Sequence, residues 1–106
     1  MDSREIQRLK SKTSVEILWP YILALTKKEP VYAYEIRELI KGRFGFDVGN
    51  VTSYMVLYKL ESSGLVKTEW KNVGNRQRKY YTITKTGKEE LKNAVDVLKD
   101  TVKKLS

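Results

Sequence analysis

Apolar residues recur along the first two thirds of this chain at helical spacing, in three blocks separated by polar breaks. In the first block Ile17, Leu18, Tyr21, Ile22 and Leu25 fall on one face. Pro20 interrupts it, and either kinks a helix or stands in the first turn of one starting near Trp19. Ser14 is placed to cap this helix, with Glu16 in the first turn. Ahead of it, residues 1–13 are mostly polar and charged, with a weak helical pattern in Ile6 and Leu9, which predicts a mobile or partly helical arm. The break Lys27-Lys28-Glu29-Pro30 ends the first block, because the residue before a proline is pushed out of helical geometry. A second helix is expected from about Ala33 or Tyr34 to Phe44, with Tyr34, Ile36, Leu39 and Ile40 inward and Gly42 and Gly45 closing it. Asn50 or Thr52 caps a third helix ending at Gly64. On that helix Ser53, Tyr54, Leu57 and Leu60 share one side, and Thr52, Met55, Lys59 and Ser62 share the other.

From Val66 the period changes from helical to two. Val66, Thr68 and Trp70 alternate with Lys67, Glu69 and Lys71, a basic turn Gly74-Asn75-Arg76-Gln77-Arg78-Lys79 follows, and a returning strand contains Tyr80-Tyr81-Thr82-Ile83. A last helix is expected with Thr86-Gly87-Lys88-Glu89 as a capping box. Its apolar residues Leu91, Val95, Leu98, Val102 and Leu105 are spaced 4, 3, 4 and 3. That is a short heptad seam with leucine at d and valine at a, a pattern favouring two-stranded packing. The predicted fold is mainly α with a small β-hairpin, a winged helix-turn-helix plus a long C-terminal dimerisation helix. Its parts are an N-terminal arm (1–13), the winged domain (14–84) and the dimerisation helix (85–106).

Composition narrows the function. The 106 residues suit one domain with a modest core, and 41% hydrophobic with 32% charged residues is a globular balance. The net charge is +8, and residues 51–84 carry 6 basic and 2 acidic side chains, half of that excess. A basic balance implies a polyanionic partner, and its concentration on the helix and hairpin points to nucleic acid. The chain has no histidine and no cysteine, which removes the commonest general base and the thiol nucleophile. Neither a glycine-rich phosphate loop nor a metal-ligand cluster appears, so no catalytic site, metal or cofactor is expected. Asp96 and Asp100, one turn apart, are expected to be ion-paired surface charges among Lys92, Lys99 and Lys103. The longest uncharged apolar run, Ile17 to Thr26, is too short to cross a membrane. The charged N-terminus lacks a signal-peptide core, and a cytoplasmic location is expected.

The chain resembles the PadR family of bacterial and archaeal transcriptional regulators. Four stretches carry the likeness. They are Ile22-Leu23-Ala24-Leu25 followed by Tyr32-Ala33-Tyr34-Glu35-Ile36; Tyr54 with Leu57-Tyr58-Lys59-Leu60-Glu61-Ser62-Ser63-Gly64-Leu65; Arg78-Lys79-Tyr80-Tyr81-Thr82-Ile83-Thr84; and Thr84-Lys85-Thr86-Gly87-Lys88. Ala33 departs from the glycine often found there in the family, a change expected to stiffen the helix start. The resemblance implies a homodimer on an inverted-repeat operator, usually a repressor, of the compact type without an added effector domain. It also implies release from DNA by phenolic acids or flat hydrophobic compounds in some members.

The residues then sort into candidate sites. Double-stranded DNA is expected against Asn50, Thr52, Ser53, Tyr54, Met55 and Lys59 of the third helix, and against Asn75, Arg76, Gln77, Arg78 and Lys79 of the wing. Tyr54, Tyr58, Tyr80 and Tyr81 read as rims of the core, with a hydroxyl-to-phosphate contact from Tyr54 or Tyr80 as the exception. A second copy is expected along Leu91, Val95, Leu98, Val102 and Leu105. Trp19, Tyr21 and Trp70 are either core residues or the lining of a pocket at a dimer interface for a small aromatic or hydrophobic effector. The alternatives from other classes are a winged-helix protein-interaction module and a non-specific architectural DNA-binding protein.

Overall fold

The computed structural model describes residues 1–106. Its first helix, α1 (Arg4–Lys12), is capped by Ser3, whose hydroxyl accepts from the Ile6 amide at 3.1 Å, with Glu5 in the first turn and Lys10 and Lys12 in the last. The arm is therefore helical, although none of its side chains is buried. The Tyr21 hydroxyl donates to the Thr13 carbonyl and ties down its end. Ser14 does not cap the next helix; its hydroxyl donates to the Lys10 carbonyl at 2.5 Å. A 3-10 turn (Val15–Ile17) leads into α2 (Leu18–Lys28). Pro20 is the third residue of α2, where no amide partner exists to be lost, so it starts the helix without kinking it.

Helix α2 is the centre of the core. Ile22 and Leu23 are fully enclosed, and the buried Thr26 hydroxyl donates back to the Ile22 and Leu23 carbonyls. After Pro30 comes a two-residue strand, β1 (Val31–Tyr32), that the sequence pattern did not reveal. A 3-10 turn (Ala33–Glu35) precedes α3 (Ile36–Phe44), which buries Ile36 and Ile40. Tyr34 is not on the inward side; the turn swings it out to 71% exposure. Gly45, at φ 78°, closes α3 in the left-handed conformation that glycine adopts without strain.

Helix α4 (Asn50–Ser62) begins after Gly49, and neither Asn50 nor Thr52 caps it with a side chain. It ends in a Schellman turn, with the Leu65 amide on the Leu60 carbonyl (2.9 Å) and the Gly64 amide on that of Glu61 (3.0 Å). Strands β2 (Val66–Val73) and β3 (Arg76–Ile83) form the wing and pair from Val66↔Ile83 to Val73↔Arg76. The turn is thus only Gly74-Asn75, with Gly74 at φ 62°, and Arg76 to Lys79 belong to the strand. The antiparallel sheet has the order β1-β3-β2.

Helix α5 (Lys85–Leu105) is capped by Thr84, two residues before the expected box. The Thr84 hydroxyl accepts from the Gly87 amide at 3.0 Å and donates to the Gly64 carbonyl at 2.7 Å. The first turns of α5 pack on the core through Leu91, and the remainder runs out along a molecule measuring 52 × 30 × 20 Å.

Candidate nucleic-acid interface

Helix α4 turns one face to the core through Ser53, Leu57 and Leu60. Its opposite, solvent-facing stripe is Val51, Met55 and Tyr58, at i, i+4 and i+7. Met55 is expected on this face from the sequence; Val51 carries no assignment there, and Tyr58 reads from the sequence as a rim of the core. Tyr58 is 70% exposed and is no core residue. Thr52 and Lys59 are exposed on one edge of the stripe and line a groove of about 420 Å³ with Val15, Leu18 and Trp19. Asn50 and Tyr54 lie on the other edge, beside Tyr34, Arg37 and Lys41. Ser53 does not belong to this surface. It is wholly buried, and its hydroxyl donates to the Gly49 carbonyl at 2.6 Å. Arg37 fixes the approach to α4 by donating its Nε to the Val48 carbonyl at 2.8 Å.

The wing presents two faces. Lys79 and Tyr81 point toward the helices, and Lys79 meets Glu61 of α4 at 3.3 Å while the Thr68 hydroxyl donates to the other oxygen of the same carboxylate at 3.1 Å. Lys79 is therefore held by α4 and is not a free cation. Loss of hydration lowers its affinity for the proton, but the Tyr81 charge and Glu61 outweigh that and hold the pKa above the ordinary 10.5. Arg78 and Lys71 stand opposite each other on the outer face, with Arg78 over the Tyr32 ring (4.8 Å) and Lys71 over the Tyr80 ring (5.3 Å). Asn75, Arg76 and Gln77 are exposed at and beside the tip. Tyr81 is buried as a core residue, and Tyr80 half-buried.

Within one chain Trp19, Tyr21 and Trp70 do not share a pocket. Tyr21 packs edge-on against Phe44 and Phe46, at 4.9 and 5.0 Å. Trp70 is 61% exposed and flanks a hollow with Tyr34 and Tyr54. Trp19 lines a groove of about 380 Å³ with Ile17, Pro20, Ala94, Val97 and Leu98. On α5, Leu91 is packed on its own core, whereas Val95, Leu98, Val102 and Leu105 are exposed, together with Val97, which lies outside the heptad seam. Asp100 pairs with Lys104 at 2.9 Å, and no cluster of acidic residues is spaced to hold a metal ion. No helix is long and apolar enough to cross a membrane.

A three-helix core followed by a β-hairpin, with one helix displaying an uncovered face beside that hairpin, defines a winged helix-turn-helix protein. The chain matches the transcriptional regulator PadR-like family over residues 22–93, and it belongs to that family. It is thus a transcriptional regulator and not an enzyme. Similar solved structures include a PadR family transcription regulator from Clostridium difficile, 30% identical, covering 81% of this chain and 90% of that one with a TM-score of 0.71. Another, from Eggerthella lenta, is 30% identical and covers 97% and 96% with a TM-score of 0.72. The Bacillus subtilis PadR in complex with operator DNA is 28% identical, with a TM-score of 0.69, and the match covers 74% of this chain and 46% of that one. Among curated protein sequences none matches this chain.

Proposed function

We propose that the protein is a sequence-specific, homodimeric repressor that binds a palindromic operator in the cytoplasm. The observation that carries this reading is the uncovered face of α4, Val51, Met55 and Tyr58, flanked by Thr52, Lys59, Asn50 and Tyr54 and lying beside a basic wing. A helix of this kind fits the major groove, where methyl and aromatic groups meet thymine methyls and polar flanks meet base edges. The Bacillus subtilis relative in complex with operator DNA supports the same use of the fold. The exposed residues of α5 would join two copies and set the recognition helices about 34 Å apart, one turn of duplex. The groove around Trp19, Val97 and Leu98 suits a flat hydrophobic effector, whose binding would quench tryptophan fluorescence and release DNA.

A second reading has one observation in its favour. The exposed stripe of α4 is more apolar than a phosphate-facing surface needs, and would also suit the groove of a partner protein. Selection of genomic fragments with purified protein, across a salt series, separates the two. The operator reading expects an enriched inverted repeat and a log K that falls with log salt at about −0.9 per neutralised phosphate, with about six to ten phosphates contacted. Salt-sensitive binding without an enriched sequence would make it an architectural protein. A flat salt response would leave the protein-interaction reading.

A further inference from the structure

On the outer face of the wing the register sets Arg78 directly opposite Lys71. Like charges in that position destabilise a sheet. Neither cation is neutralised, since the ion pairs of the chain are Lys10–Asp2, Lys12–Glu16, Lys41–Asp47, Lys79–Glu61 and Lys104–Asp100. Glu69 is on the same face, opposite Tyr80, yet pairs with neither. Each cation instead rests on a tyrosine ring, Arg78 on Tyr32 and Lys71 on Tyr80, and these two tyrosines are themselves register partners with centroids 5.8 Å apart. A ring face attracts a cation without occupying its N–H groups, so the donors stay open to a further anion. The aromatic contacts continue from Tyr32 to Tyr34 (5.2 Å) and from Tyr34 to Tyr54 on α4 (6.0 Å). The wing cations are thereby referenced to the helix that displays Val51, Met55 and Tyr58.

We propose that Arg78 and Lys71 form a two-cation clamp for a backbone phosphodiester of duplex DNA, and that Tyr32 is the positioning residue that holds Arg78 in it. The bound phosphate relieves the repulsion that the free protein carries, and the ring prevents the guanidinium from swinging away from Lys71. This assignment rests on the DNA-binding reading. It differs from a generally basic wing tip in the residues it selects, because Lys79 is excluded and Lys71, which lies on the other strand, is included.

The test measures binding to a mixed-sequence 30-base-pair duplex over a salt series. Tyr32→Leu is expected to weaken binding about fivefold and to flatten the salt slope by about one, as Arg78→Gln does. Tyr32→Phe, which keeps the ring, should behave as the parent. Tyr32→Leu with Arg78→Gln should be no weaker than Arg78→Gln alone. Thermal melts check that the variants are folded; if Tyr32→Leu is not, Lys71→Gln and Arg78→Gln carry the test, each flattening the slope by about one while Lys79→Gln leaves it unchanged. Parental slope and affinity in Tyr32→Leu, or equal loss in Tyr32→Phe, would overturn the clamp while leaving DNA binding intact. A parent protein that binds no duplex would overturn both.

Discussion

Gly87 shows how one position can hold three elements together. A Cβ at this residue would lie 2.1 Å from the Leu65 carbonyl oxygen and 2.7 Å from Ile83 Cγ1. The obstruction is backbone, which cannot rotate away as a side chain tip can. Gly87→Ala should therefore cost about 3 kcal/mol, although alanine is the better helix former, because the start of α5 would have to leave the α4–β2 corner. Urea denaturation tests this, and a loss under about 1 kcal/mol would show that the corner yields. The sequence marked Gly87 as part of a motif but gave no reason for it, since the reason is a neighbour 22 positions earlier in the chain. Ser53 failed in the opposite direction. Its polarity suggested a surface contact, while its place on the helix wheel, level with Leu57 and Leu60, already pointed inward. Helical angle was the better guide there, and also for Val51 and Tyr58, which turn outward despite being apolar.

Among the elements, the tie between α4 and the wing has a definite pH signature. The pKa of Lys79 is raised in the fold, so its contribution is fully present below the unfolded value near 10.5 and disappears as pH rises through the folded value. The melting-temperature gap between the parent and Lys79→Gln should stay constant from neutral pH to about pH 10 and close above it. A gap that stays open above that range would show that the Lys79 charge is not the source of the stabilisation. Long periodic elements were legible in the sequence, because α2 and α5 repeat their apolar residues often enough to fix a period. What escaped was set by partners distant in the chain. Strand β1 has only two residues, and exists because β3 offers Tyr80 and Tyr81 as partners. The wing strands run to Val73 and Arg76 because Gly74 and Asn75 suffice for the turn, so the apparent basic loop became strand and its side chains alternated between two faces. That alternation separates Lys79, bound to Glu61, from Arg78, mounted on Tyr32, a distinction invisible in a run of neighbouring cations.

For the whole molecule the decisive feature is the outer half of α5, which its own fold does not cover. Leu91 and Ala94 still touch the body, but Val95, Leu98, Val102 and Leu105 lie increasingly open, reaching 84% exposure at Leu105. A lone helix with such a stripe gains little from its propensity and much from burial against a partner. The homodimer we propose covers it with a second copy of the same helix, the heptad spacing letting one surface satisfy both chains. Leu98 is the position to change, because it belongs both to the seam and to the groove beside Trp19. Leu98→Lys should sediment at the mass of one chain at concentrations where the parent sediments at twice that mass. Its helix should remain folded, because residue 98 is half-exposed in the single chain. Operator affinity should fall about 100-fold or more as the link between two half-sites is lost, whereas binding to a single half-site should change little. A Leu98→Lys protein that still sediments at twice the chain mass would move the interface away from this seam, toward α1, whose Ile6 and Leu9 are also uncovered.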